Sequence, residues 1–312
     1  MLSIVVPVFD EEASVRPLVE AVGAAMHGWR DDWELIFVDD GSGDATAATI
    51  ERVSSEESRV RLVKLARNYG QSAAMQAGFD HARGDVIVTM DGDLQNDPAD
   101  IPALHDLLIS GYDLVAGYRV RRQDPWLTRR LPSLVANAMV RAASGLSLRD
   151  TGCTLKAFRR ELLGSLRLYS ELHRFIPALA ASGAGARIIE VPVRHHARRY
   201  GRSKYGLSRV GRVLADLLTL FMLRRFGESP LRMFARGSLL SFGIGFLATM
   251  VALAAAFDFL ESVSMVVFSV IACCWLALSG FLLMAGLIAE TFVHTDEEGQ
   301  HVGRKFLYPV SG

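Results

Sequence analysis

The residues most suited to chemistry are two aspartates separated by a single glycine. Asp91 and Asp93 follow the apolar run 85–90 and lie within the segment MDGDLQNDP. Two carboxylates held this close on a turn repel each other unless a cation lies between them, and oxygen ligands at this spacing suit Mg²⁺ or Mn²⁺ carrying a diphosphate. The spacing therefore predicts a metal-diphosphate site, although a D-x-D triplet taken alone also arises by chance.

A second pair of acids, Asp39 and Asp40, ends the run ELIFVDD and precedes the turn Gly-Ser-Gly at 41–43. A carboxylate in this position can accept hydrogen bonds from a ribose hydroxyl or a base N–H, and the glycines let a ligand approach the backbone. For Ser42 and Asp44 the alternative is that they only cap the helix that follows. The pattern indicates a nucleotide-binding turn.

The elements that must position these acids alternate along the chain. Short β-branched runs followed by helical stretches predict a parallel sheet covered by helices on both faces, and ligands of such sheets bind at the carboxyl ends of the strands. The fold class is therefore α/β. The predicted strands are 2–8, 34–39, 60–65, 85–90 and 113–118, and the predicted helices are 14–26, 45–55, 71–82 and 98–109.

Charge divides the 312 residues into two unlike parts. The chain has 34 basic and 34 acidic side chains, but after Arg236 the only Lys or Arg residues are Arg304 and Lys305. The stretches 237–257 and 262–289 carry no charge, and each is long enough to cross the roughly 30 Å hydrocarbon layer at about 1.5 Å per residue. They predict a transmembrane hairpin, and a chain with this composition is not a purely soluble single domain. For each stretch, the alternative to a membrane span is a buried core helix.

The flanking charges predict the orientation of the hairpin. Arginines precede it and Arg304 and Lys305 follow it, whereas the connecting turn 258–261 carries only acids. By the positive-inside rule, both termini and the soluble part are predicted to face the cytoplasm. The hairpin is then predicted to lie in the inner membrane.

A basic region leads into the hairpin. Residues 187–236 contain twelve Arg or Lys against three acids, and 207–221 place leucines and valines on one helical face. This predicts an amphipathic helix against anionic lipid, with a core-packed helix as the alternative. The predicted organisation is a catalytic domain at 1–205, a juxtamembrane region at 206–236, the hairpin at 237–290 and a cytoplasmic tail at 291–312.

Several segments together resemble glycosyltransferase family 2, whose catalytic domain has the Rossmann-like, mostly parallel GT-A fold. The later segments and the hairpin are similar to its polyprenyl-phosphate branch, which includes dolichol-phosphate mannose synthase, bacterial prenyl-phosphate glucosyltransferases and undecaprenyl-phosphate aminoarabinose transferase. The Q-x-x-R-W motif and additional spans of the processive members do not occur in this sequence. The matching segments are VPVFDEE (6–12), VDDGS (38–42), RNYGQ (67–71), GDVIVTMDGDLQ (84–95), GYR (117–119), TGCTLKAFRR (151–160) and RYGRSKY (199–205).

For the sugar donor, the resemblance implies three groups of residues. Pro7, Phe9 and Glu11 would pack on the nucleotide, Asp39 and Asp40 would hold its base and ribose, and Asp91, Asp93 and Gln95 would bind the divalent cation, Mg²⁺ or Mn²⁺, with the sugar diphosphate. Two positions depart from the family pattern. Asp10 replaces the usual Asn, and Gly92 replaces a common Ala, an exchange expected to be tolerated because that side chain makes no ligand contact.

For the acceptor, the resemblance implies that Arg119 meets a phosphate. A second arginine is expected after Trp126, and counting from the two ends of that segment favours either Arg130 or Arg129, which stays open. In the R-x-x-G-x-S-K motif, Arg198, Ser203 and Lys204 would face the diphosphate or the lipid phosphate, since Arg and Lys stabilise phosphate oxyanions.

The implied reaction is an inverting, metal-dependent transfer of one sugar from a UDP- or GDP-linked donor to a polyprenyl phosphate, undecaprenyl phosphate if the source is bacterial. The phosphate monoester is already a nucleophile, so the task is electrostatic, and Asp93 is the residue expected to be indispensable. The expected partners are both substrates and the bilayer, without nucleic acid, and relatives suggest a homotetramer. A non-catalytic membrane scaffold and a nucleotidyltransferase are the alternatives, and the sequence does not select the sugar.

Overall fold

The computed structural model describes residues 1–120, 148–164, 172–183, 185–197, 229–257 and 262–299. They fall into two compact units, the first within residues 1–221 and the second within residues 222–304. The first unit contains the predicted sheet and the second contains the predicted hairpin.

The first unit is built on a seven-stranded sheet in the order β3-β2-β1-β4-β6-β5-β7. Strand β6 is antiparallel to β4 and β5, and all other neighbours are parallel. The predicted mostly parallel α/β fold is confirmed. The strands are β1 (Leu2–Val8), β2 (Trp33–Asp39), β3 (Val60–Lys64), β4 (Val86–Thr89), β5 (Leu114–Arg119), β6 (Lys156–Arg159) and β7 (Ile188–Val193).

Helices cover both faces of this sheet. Three-residue and four-residue 3-10 turns at Pro98–Asp100 and Leu172–Phe175 precede the fourth and sixth helices. The helices of the first unit are α1 (Glu12–Ala25), α2 (Thr46–Glu56), α3 (Gln71–His81), α4 (Ile101–Ile109), α5 (Arg160–Gly164) and α6 (Ile176–Gly183).

The apolar strands explain the two hydrophobic layers. In β1, Val5 packs into a cluster with side chains of α3 and α6, whereas its neighbours Ile4 and Val6 pack into a second cluster with α1, α2 and α4. Because side chains alternate between the faces of a strand, a run that is apolar at every position must be buried on both sides. The site therefore has to lie at an edge of the sheet.

That edge is set by strand direction. Strands β2, β4 and β5 end at the same edge, with Asp39 closing β2, Asp91 two residues after β4, and Arg119 closing β5. The antiparallel strand β6 begins at this edge, so the loop before Lys156 also arrives there.

The second unit consists of two long helices, α7 (Pro230–Ala256) and α8 (Ser262–Gly299). Pro230–Ala256 and Met265–Thr291 are apolar enough to cross a membrane, and only 22% and 11% of their most apolar windows are buried. A core helix of a soluble protein would be mostly buried, so the low burial favours membrane spans. Both helices extend beyond the charge-free stretches: α7 begins within the predicted juxtamembrane region, and α8 continues into the predicted tail.

Small and polar side chains join α7 to α8. The hydroxyl groups of Ser238 and Ser279 lie 3.0 Å apart, and each also donates to the other residue's carbonyl oxygen. Near the start of α7, the Leu231 amide donates to Oε2 of Glu290 at 3.0 Å, so a carboxylate of one helix caps the other. A Cβ at Gly245 would lie 2.9 Å from Cγ of Leu276, so this glycine permits close helix packing.

Candidate active site

Asp39 is fully buried at the end of β2. Its Oδ1 accepts hydrogen bonds from the Ser42 amide at 3.2 Å and from the Ser42 hydroxyl. Its Oδ2 is buried and has no hydrogen-bond partner among the described residues. Because buried polar atoms are nearly always paired, this oxygen is suited to accept an N–H or O–H group of a ligand, as predicted for a nucleotide.

Asp40 orders the segment 67–71 instead. Its two carboxylate oxygens accept hydrogen bonds from the amides of Tyr69 at 2.7 Å and Gly70 at 2.8 Å. Burial raises the pKa of this carboxyl, while the two amide hydrogen bonds oppose that rise. Asp40 thus has a positioning role in the structure, and a nucleotide contact by its side chain stays a prediction.

The loop after β1 is tied to the loop after β2 through Asp10. The Asp10 amide donates to Oγ of Ser42 at 2.9 Å, and the Gly43 amide donates to Oδ1 of Asp10 at 2.8 Å. Asp10 has a φ of +49°, a conformation that Asp and Asn accept more readily than other side chains. The replacement of the usual Asn therefore keeps a residue that suits the turn. Phe9 and Glu11, predicted to pack on the nucleotide, flank it, and both are partly buried.

Asp91 is held from two sides. Gln71 Nε2, at the start of α3, donates to Oδ1 of Asp91 at 3.0 Å, and Thr154 Oγ1 donates to Oδ2 at 2.6 Å. Burial raises the pKa of Asp91, and the negative charge of Asp93 raises it further. Gln71 and Thr154 were missed as site residues, although both belong to the segments RNYGQ and TGCTLKAFRR that carry the resemblance.

Asp93 closes a tight turn after β4. It is 5% exposed, and its Oδ1 accepts the Gln95 amide at 3.1 Å across Leu94, which has a φ of +60°. The Gln95 side chain reaches the loop after β7, donating to the His196 carbonyl oxygen at 3.4 Å. The predicted set Asp91, Asp93 and Gln95 is therefore gathered in one turn.

This turn fits a divalent cation. Among the described residues there is no cluster of three or more His, Cys, Asp or Glu side chains that could hold a metal ion. Two acids with an amide form a smaller set, and Mg²⁺ is usually bound by one or two carboxylates together with substrate phosphates and water. The repulsion that raises the pKa of Asp91 is what a cation between the two carboxylates would relieve.

Arg119 lies at the end of β5 and is paired with a buried acid that the sequence reasoning did not identify. Its Nε and Nη2 donate to Oδ2 and Oδ1 of Asp150 at 2.7 and 2.9 Å. The two side chains are 19% and 5% exposed, so the guanidinium is held in one orientation at the rim.

Three of the predicted groups thus meet at one edge: the acids after β2, the turn after β4 and Arg119. Pro7 lies in β1 beside Val38 of β2, next to this edge. The other predicted phosphate-binding residues lie outside the described part of the chain, and their roles stay predictions; they are Arg129, Arg130, Arg198, Ser203 and Lys204.

Fold and site together define a GT-A type glycosyltransferase, with a mostly parallel sheet, an acidic turn at its carboxyl edge and an arginine beside it. Residues 3–167 match the family described as Glycosyl transferase family 2. The chain belongs to this family and is a glycosyltransferase.

The similarity to individual relatives extends beyond the segment that matches the family model. The chain is 48% identical over 260 residues to a dodecaprenyl-phosphate galacturonate synthase of Rhizobium johnstonii, covering 82% of this chain and 76% of that protein. It is 40% identical over 247 residues to an undecaprenyl-phosphate 4-deoxy-4-formamido-L-arabinose transferase of Aeromonas hydrophila, covering 79% of this chain and 74% of that protein.

Among solved structures, the fold is similar to glucosyl-3-phosphoglycerate synthase of Mycobacterium tuberculosis in complex with Mn²⁺, uridine diphosphate and phosphoglyceric acid. The TM-score is 0.57 at 22% identity, covering 72% of this chain and 78% of that chain. At this identity the likeness concerns the fold alone.

Proposed function

We propose that this enzyme transfers one sugar from a nucleotide-diphosphate sugar to a polyprenyl phosphate. The observation that carries the proposal is the similarity, over about four fifths of the chain, to two transferases named for polyprenyl-phosphate products. The site supports it, because acids suited to a metal diphosphate and an arginine suited to a phosphate lie at one sheet edge.

The proposed reaction is a direct displacement at the anomeric carbon. An oxygen of the acceptor phosphate forms the new bond to this carbon as the bond to the donor's β-phosphate oxygen breaks, and the nucleoside diphosphate leaves, so the configuration inverts. The acceptor phosphate is anionic at neutral pH and needs no strong general base. The residues therefore have to bring two anions together and to orient them.

The predicted residues divide into groups with separate tasks in this scheme. Asp91, Asp93 and Gln95 would hold a Mg²⁺ or Mn²⁺ ion, and such an ion would neutralise the charge that develops on the leaving diphosphate. Oδ2 of Asp39 would accept a hydrogen bond from the nucleotide, and Arg119 would bind the acceptor phosphate.

The lipid acceptor requires a membrane location, which we assign to α7 and α8. We propose that they form a hairpin in the inner membrane, with the catalytic domain and both termini in the cytoplasm. The exclusively acidic connecting turn and the cations on the outer ends support this orientation.

The experiment is product analysis with the full-length protein in detergent, undecaprenyl phosphate and Mg²⁺ or Mn²⁺. The donor panel includes UDP-galacturonate, UDP-4-deoxy-4-formamido-L-arabinose, UDP-glucose and GDP-mannose, and lipid extracts are analysed by mass spectrometry. One donor is expected to give a phosphoprenyl sugar, and the matched control Asp93→Asn is expected to give none.

Two results would contradict the proposal. A nucleotide sugar as product would identify a nucleotidyltransferase. Absence of product with every donor, from protein that still binds nucleotide or lipid, would favour a non-catalytic scaffold.

A further inference from the structure

Asp150 fixes the orientation of Arg119 more firmly than a surface ion pair would. Besides the two guanidinium hydrogen bonds, its Oδ2 accepts the Arg119 amide at 3.3 Å, and its Oδ1 accepts the Gly152 amide at 3.2 Å. The amide of Asp150 in turn donates to Glu190 of β7 at 3.4 Å. A bidentate, buried pair of this kind sets the plane of the guanidinium.

This pairing creates an electrostatic problem. A guanidinium neutralised by a buried carboxylate attracts a phosphate dianion weakly, and the carboxylate itself repels it. Asp150 would therefore weaken the predicted acceptor site unless its negative charge is balanced by a second cation.

The side chain that can supply this charge is Lys156, the first residue of β6. It is 2% exposed, lies opposite Thr89 of β4 and Ala116 of β5 in the sheet, and donates through Nζ to the carbonyl oxygen of Cys153. Burial lowers the pKa of Lys156, and the opposing charges of Asp150 and Asp91 reduce this shift without reversing it. Cys153 directly follows Gly152, whose amide binds Oδ1 of Asp150, so Nζ of Lys156 lies beside the turn that contains Asp150.

We propose that Asp150 and Lys156 are positioning residues for the acceptor phosphate: Asp150 orients Arg119, and Lys156 balances Asp150 so that Arg119 stays attractive to an anion. The inference rests on the proposed transfer to a polyprenyl phosphate. It adds two residues, neither of which was predicted, and it explains why a lysine is buried beneath the site.

The test compares Asp150→Asn and Lys156→Met with Lys156→Arg, which keeps the charge, and with Asp113→Asn as the matched control. Asp113 likewise accepts hydrogen bonds from an arginine, with the Arg187 amide at 2.8 Å, but it lies just before β5 and so at the opposite edge of the sheet. KM is measured for undecaprenyl phosphate and for the nucleotide sugar, in full-length protein with its metal ion.

Asp150→Asn and Lys156→Met are expected to raise KM for undecaprenyl phosphate about 10-fold to 100-fold, a loss of about 1.4 to 2.8 kcal/mol at 1.4 kcal/mol per factor of ten, while KM for the donor changes less than twofold. Lys156→Arg should restore most of the acceptor affinity, and Asp113→Asn should change neither KM. Equal changes in both KM values, or equal behaviour of Asp150→Asn and Asp113→Asn, would overturn the inference.

A binding measurement separates this inference from the proposed reaction. Farnesyl phosphate is titrated into wild type, Arg119→Gln, Asp150→Asn and Lys156→Met, and the last three are expected to bind it more weakly than wild type. If wild type transfers no sugar but shows this pattern, the reaction is wrong and the anion site stands. If all four proteins bind farnesyl phosphate equally, the assignment of the anion site is wrong. If Asp150→Asn does not fold, the binding affinities of Asp150→Glu and Lys156→Met test the assignment instead.

Discussion

Asp93 is the residue on which catalysis should depend most. It is buried in the turn after β4, two residues from Asp91, with which it is proposed to bind the cation. Asp93→Asn keeps the shape of the side chain, so the fold should be retained, whereas sugar transfer should be lost, as it should be after chelation of divalent cations. Circular dichroism and the product assay check this pair of outcomes, and a variant as active as wild type would rule out the metal role.

The raised pKa of Asp91 makes a prediction about pH. A carboxyl whose pKa is raised by burial and by Asp93 takes up a proton at a higher pH than an ordinary aspartate, and the protonated form binds cations poorly. The rise in Tm produced by Mn²⁺ with UDP should therefore be largest at the highest pH tested and should be lost as the pH falls through this raised pKa. Thermal shifts measured from pH 7.5 to 4.5 check it.

Asp91→Asn provides the control for that titration. It removes the carboxylate and its repulsion with Asp93, so metal-free protein should be at least as stable as wild type, and Mn²⁺ should add little at any pH. A pH-dependent Mn²⁺ effect of unchanged size in this variant would assign the titration to another group.

Gly92 illustrates a packing constraint that the resemblance did not reveal. Alanine is common at this position in the family, but here a Cβ would lie 2.6 Å from Cγ1 of Val8, which is 3% exposed in β1. Gly92→Ala should therefore destabilise the protein by about 1–3 kcal/mol, as overpacked cores usually do. Urea unfolding of Gly92→Ala, Val8→Ala and the double variant measures it, and the double variant should be more stable than the sum of the two single costs predicts.

The strands and helices of the first 120 residues and the two apolar helices after residue 229 could be predicted from the sequence, whereas the elements between residues 148 and 197 could not. The runs that form β1 to β5 are apolar and bounded by turn residues, so periodicity locates them to within about two residues. Strand β6 has four residues, KAFR, and ends in an arginine; only its place between β4 and β5 makes it a strand. Residues 156–159 form a strand because they pair with β4 and β5, and the local sequence pattern does not encode this tertiary pairing.

The same reason limits the prediction of the site. Asp39, Asp91 and Asp93 follow predictable strands and could be assigned to a sheet edge from the sequence. Thr154 and Asp150 lie in the loop before β6, so their contacts with Asp91 and Arg119 depend on where that strand enters the sheet.

The packing of α7 on α8 can be tested by crosslinking. Ser238→Cys with Ser279→Cys, in a protein with Cys273 and Cys274 replaced, should form an intrachain disulfide under mild oxidation because the two hydroxyls are 3.0 Å apart. Cys153 can remain, since burial raises the pKa of its thiol to about 11 and the thiolate is the reactive form. Electrophoretic mobility with and without reductant measures the bond.

The control for the crosslink is Leu239→Cys with Ser279→Cys, because Leu239 is 71% exposed on α7. This pair should remain reduced under the same conditions. Equal crosslinking of both pairs would contradict the described packing of the two helices.

Over the full chain, the charges predict how the protein lies in a membrane. Green fluorescent protein fused after residue 312 should fluoresce in a bacterial host, and alkaline phosphatase fused there should be inactive, because both report a cytoplasmic terminus. Insertion of alkaline phosphatase at 258–261 should give active enzyme. The reverse pattern would show the opposite orientation. The catalytic domain would then lie on the side of the membrane away from the cytoplasmic nucleotide sugar.

The order of strands also has a consequence for synthesis of the protein. Strands β1 to β4, within residues 2–89, are adjacent in the sheet, so the nucleotide side of the site can form early on the ribosome. Strand β5 pairs with β6 and β7, which are translated later. Until residue 159 has emerged, the strand that carries Arg119 has two unpaired edges in the nascent chain, and this interval of translation is where chaperone binding and premature aggregation are to be expected.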